Sequence, residues 1–144
     1  VLALVALPRL IDLRDEARVA ALEGIAGSMR STILLVRSKA RVSGLQPAAS
    51  NPGGSSQAGF VIDTAFGSSE VDWRNLCPES RAEVADAMTM LDFTTLRADM
   101  GGLQTSVGNR STRVGYDLTG GSGCYVEYDS FACTVSLTKA GCGG

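Results

Sequence analysis

Between Arg9 and Val42 apolar residues recur at Leu22, Ile25, Met29, Ile33, Val36 and Ala40, while Arg18, Glu23, Arg30, Arg37 and Lys39 fall mostly opposite. Steps of three or four predict one long helix, apolar on one side and wet on the other. Asp15 and Glu16 sit early and Arg37, Lys39 and Arg41 late, which suits the helix macrodipole, and Gly44 is a natural stop. Gly24 and Gly27 each weaken such a helix by about 1 kcal/mol; glycines three apart predict the close approach of another backbone. Ahead of this pattern stands "VLALVAL" (1–7), apolar on every side, and then Pro8. Pro8 lacks the N–H that would bond the carbonyl four residues back, so it predicts a kink or local melting.

The pattern then loosens. "GLQPAASNPGGSSQAG" (44–59) reads as a loop; it has neither the Lys nor the strand–loop–helix setting of a phosphate-cradling loop. "FVID" (60–63) suits a short strand. "CPESRAEVADAMTML" (77–91) predicts a second, shorter helix: Pro78 fits its first position, Glu79 and Glu83 its positive end, and Val84, Ala87, Met88 and Leu91 one face. The stretch 94–111 is ambiguous. Beyond it "TRVGYDLT", "GCYVEY" and "FACTVSLT" are β-branched and aromatic, divided by "GGSG" and "DS", and predict an antiparallel sheet of three to four strands. Helix, loop, helix and sheet in 144 residues make one α+β domain. Its parts are the long helix (1–43), a variable loop region (44–76), a short helix and connection (77–111), and the sheet with the cysteine-bearing C-terminus (112–144).

Charge narrows the function. Thirteen basic against fifteen acidic residues give a net −2, with no block of like charge, which argues against a nucleic-acid groove or a polybasic membrane patch. There is no histidine, so the commonest general base, the Ser–His and Cys–His pairs and the commonest metal ligand are all missing. The expectation is therefore a protein that is not an enzyme, with no catalytic, cofactor or metal site. Asp12, Asp15 and Glu16 lie among Arg9, Arg14 and Arg18; they read as a solvated stretch of helix with Arg9–Asp12 and Asp15–Arg18 pairs at i,i+3. "NRS" (109–111) matches a glycosylation triplet too short to weigh. Tyr116, Tyr125, Tyr128 and Trp73 read as packing on a sheet face. Asp117, Glu127 and Asp129 are too scattered for a calcium site.

The cysteines, at 77, 124, 133 and 142, match neither a C-x-x-C redox motif nor a zinc knuckle. Their even number predicts disulfides and an oxidising compartment. If "EYDS" (127–130) is a four-residue hairpin loop, Cys124 stands opposite Cys133; that favours Cys124–Cys133 with Cys77–Cys142. The pairings Cys77–Cys124 with Cys133–Cys142, and Cys77–Cys133 with Cys124–Cys142, stay open.

The first 44 residues carry a resemblance. Ala6-Leu7-Pro8-Arg9, Asp12-Leu13, Glu16-Ala17-Arg18, Ala20-Ala21-Leu22, Gly24 and Ala26-Gly27 resemble the second half of the N-terminal helix of type IV pilins, in the mannose-sensitive haemagglutinin (MSHA) branch. Leu10 stands where that family commonly has an aromatic, and four cysteines exceed its usual single pair. The resemblance implies a pilin fold and a structural subunit of an adhesive or motility pilus. Its partners would be other pilin subunits, major or minor, the assembly machinery, and the prepilin peptidase that trims the precursor. It implies an inner-membrane precursor and an extracellular pilus of a Gram-negative bacterium, with contact to the membrane only through an apolar segment upstream of Val1. Val1 then reads as a cut edge, Val1 to Leu7 as exposed helix, Pro8 as a kink between anchor and soluble halves, and the chain as given as a monomer. Two other readings are a pseudopilin of a type II secretion system and a secreted disulfide-bonded binding domain.

Overall fold

A computed structural model describes residues 2–84, 87–94, 96 and 101–143, with side chains for the same residues except 2–13 and 54–56. Helix α1 runs over Leu2–Val42. Its stop follows the predicted chemistry: Gly44 adopts φ 88°, its N–H donates to the carbonyl of Arg41, and the Leu45 N–H donates to that of Ala40, both at 3.0 Å. Only glycine takes this left-handed position without strain, and the two bonds satisfy carbonyls that the helix end leaves open.

After a short 3-10 turn (Gly54–Phe60) come a hairpin, β1 (Val61–Thr64) with β2 (Gly67–Glu70), and a single helical turn α2 (Met90–Phe93). Then follow β3 (Gln104–Val107), β4 (Ser111–Asp117), β5 (Cys124–Asp129) and β6 (Thr134–Thr138), one antiparallel meander in the order β3-β4-β5-β6. The structure is α+β, with α1 laid across this sheet. Leu22, Ile25, Met29 and Ile33 meet Val114, Val126, Tyr128 and the cysteines in the main core. Val36 and Ala40 continue into a second cluster with Ile62, Val71 and Leu76. Each fully buried aliphatic side chain here contributes about 1.5–3 kcal/mol by leaving water.

Several expectations need correction. The helix predicted over 77–91 does not form; among the described residues only Met90–Phe93 makes a turn. Glu70 claims the amides that such a helix would use. Its carboxylate accepts the N–H of Glu83 (2.6 Å) and Val84 (3.1 Å), and its carbonyl that of Glu79 (3.1 Å). Pro78 bridges Val71, and Cys77 is held by a disulfide. The region 44–76 is less of a loop than expected, since β2 and the 3-10 turn lie within it alongside the β1 strand foreseen near 60–63. β3 falls in the stretch the pattern left ambiguous. Pro8 lies inside the helical backbone of α1; Val1, and the side chains that would show the Arg9–Asp12 pair, are outside the described residues.

Candidate functional site

The disulfides are Cys77–Cys133 and Cys124–Cys142, so the favoured Cys124–Cys133 pairing is overturned. The reason is register. Asp129 pairs with Thr134 and Tyr125 with Thr138, which places Cys133 in the turn rather than on the strand. The Asp129 carboxylate sets that turn by accepting the N–H of Phe131 (3.0 Å) and Ala132 (3.1 Å). Cys133 takes φ 57° and reaches Cys77. Asn75 ties the same two segments together, donating to the carbonyls of Ser130 (2.9 Å) and Phe131 (3.0 Å). Cys142 returns beside Cys124, with the Gly141 N–H on the Gly123 carbonyl at 2.8 Å.

The aromatic residues do not share one sheet face. Tyr128 is buried and donates its hydroxyl to the Pro78 carbonyl. Tyr125 lies on the opposite face under the Arg113 guanidinium, 4.5 Å from its ring centroid, and Arg113 pairs with Glu127 at 2.6 Å. Tyr116 receives Arg18 at 5.3 Å, and among the described residues the predicted Asp15–Arg18 ion pair is not made. Trp73 belongs to the loop after β2 and stacks on Arg74. Asp129 pairs with Arg110, apart from Glu127, and Asp117 bends back on Thr119. Among the described residues no group of His, Cys, Asp and Glu side chains is arranged to hold a metal ion.

Three buried carboxylates sit beneath this loop and were not foreseen: Glu70, Asp72 and Glu79 are 1, 0 and 7% exposed. Asp72 pairs with Arg74, 3.0 Å away. Burial raises the Glu70 carboxyl above its ordinary range, opposed by the Val84 and Glu83 amides. Glu79 is pushed up to about 8, first by burial and then by the charges of Asp72, Glu70 and Glu83. Burial, followed by Glu79 and Asp72, likewise raises the Tyr128 phenol.

Among the described residues the outer face of α1 is left unpartnered. Exposed positions follow the helix repeat from Glu16 and Ala20 through Glu23, Gly24, Gly27 and Ser31 to Leu34, Ser38 and Arg41. A Cβ added to Gly24 or Gly27 would meet nothing within 4 Å, so the expected close backbone is not supplied by the described residues of this chain. Leu34, Leu35 and Val42 remain 69, 46 and 84% exposed. To one side, Leu35 shares a cleft of about 430 Å³ with Phe66, Phe93 and Asp92. To the other, Leu34, Arg37, Ser38 and Arg41 line a shallow hollow. The Arg37 Nε is buried and has no hydrogen-bond partner among the described residues. At the other end Asp15, Glu16 and Glu23 border a cleft beside Cys142, where Lys139 lies 3.5 Å from Glu23. By length and composition alone, Arg14–Val42 could cross a membrane, a test that core helices also pass.

Comparisons with protein-family models, with curated proteins and with solved structures find no match.

Proposed function

We propose that this chain is a structural subunit of a type IV pilus, acting in adhesion, surface attachment or motility. The observation that carries this reading is α1: 41 residues, apolar all round at its start, with one face on a four-stranded sheet and the other open. A single helix that serves both as core and as free surface suits a subunit whose burial is completed by its neighbours. Two disulfides accord with an oxidising, extracellular setting. Other pilin subunits are the partners, with the assembly machinery and the prepilin peptidase acting on the precursor at the inner membrane.

The coding sequence upstream of Val1 tests this reading first. The expected sequence is a Gly followed by Phe or Met, a Glu shortly after, and about 20 apolar residues leading into Val1. An upstream region without such a stretch would favour a secreted binding domain instead.

A further inference from the structure

Charge in this chain is segregated in space although nearly balanced in sum. Residues 24–43 hold four basic side chains and no acidic one, +4; residues 44–144 hold six basic and eleven acidic, −5. Arg30, Leu34, Arg37 and Arg41 follow one another in steps of four, three and four, so they form a single ridge along α1. Among the described residues no carboxylate forms an ion pair with any of its three arginines. The counterpart lies on the lobe built from the β1–β2 hairpin and the segment leading into α2. Asp63, Glu83 and Asp92 are exposed there, and Phe66 is 70% exposed at the hairpin tip. Among the described residues no ion pair joins the two surfaces. The lobe faces the Ser28, Ser31 and Leu35 side of α1. At about 100° per residue, that side points roughly 120° away from the Arg30–Arg41 ridge.

We infer that the basic ridge of one copy docks on the acidic lobe of a second copy, with Leu34 and Phe66 as apolar contacts inside the charged rim. Complementary patches on opposite flanks cannot satisfy each other in a two-fold pair; they make a heterologous contact that repeats head to tail. This deepens the reading of the chain as a fibre subunit, on which it rests, by naming a contact outside the apolar start of the helix. The pairing is between exposed charges, so it is weak alone and falls with salt. A monomer at ordinary dilution accords with it.

The test uses charge reversal in trans. Arg30→Glu/Arg41→Glu makes the ridge acidic, and Asp63→Lys/Glu83→Lys makes the lobe basic; all four side chains are exposed, and unchanged circular dichroism checks the fold. Sedimentation at high protein concentration and low salt should show the wild type associating, and each variant alone weakened about tenfold or more. An equal mixture of the two should associate again, because both interfaces then match in alternation. Variants that behave as the wild type, a mixture that stays monomeric, or a ridge that binds phosphatidylglycerol vesicles while the wild type never self-associates would each overturn the contact. Filaments formed by the full-length Arg30→Glu/Arg41→Glu protein at wild-type yield would also overturn it, yet leave the pilus reading standing.

Discussion

Glu79 illustrates how one residue departs from its sequence reading. It looks like an N-terminal helix acid, but it is buried beside Asp72 and Glu70 and holds its proton up to about pH 8. Its folded value lies above the unfolded one of about 4.5. The stability it contributes is therefore fully present below about 4.5 and is lost as pH rises through about 8. Urea unfolding should show the wild type weakening between pH 5 and pH 9, by on the order of a few kcal/mol, and Glu79→Gln with a flatter profile. Equal pH dependence in the two proteins would refute this assignment. Two glycines give opposite expectations. A Cβ on Gly115 would come within 2.2 Å of the Cys124 carbonyl oxygen and 2.5 Å of the Tyr125 Cα, so Gly115→Ala should cost about 3 kcal/mol or prevent folding. Gly24→Ala meets open space in a helix and should raise the unfolding midpoint by up to about 1 kcal/mol equivalent.

At the scale of elements, the long helix and its stop were legible because their signals are local: apolar spacing, terminal charge and a glycine at the C′ position. The strands β4 to β6 were legible for the same reason. The segment 78–84 was not, since its amides are captured by Glu70 from a strand outside the window in which helical periodicity is read. Disulfide pairing failed through register, which a single Asp turn at 129 decided. The bonds should differ in weight. Cys77–Cys133 closes a separation of 56 residues and Cys124–Cys142 one of 18. From loop entropy, removing the first should cost about 4 kcal/mol and the second about 3. Thermal unfolding of the paired Ser variants measures this, and the order should reverse only if the 71–78 loop keeps its place through Asn75 alone.

For the whole molecule, the α+β architecture and a helix wet on one side followed from the sequence, whereas the apolar residues left on that open face did not. Periodicity marks which side of α1 is apolar; it does not show that Gly24, Gly27, Leu34 and Val42 are left uncovered on the other. The charge segregation also escaped the sequence reading, because its four basic residues are spread over three helical turns rather than set in a block. In the proposed fibre both features would lie on a surface that another copy covers. The most direct measurement is on filaments sheared from cells that express the full-length gene, imaged by electron microscopy and analysed by mass spectrometry. The pilus account predicts filaments that contain peptides of this chain and vanish when the prepilin peptidase is deleted. A mature protein that is secreted in soluble form and is absent from every filament would contradict it.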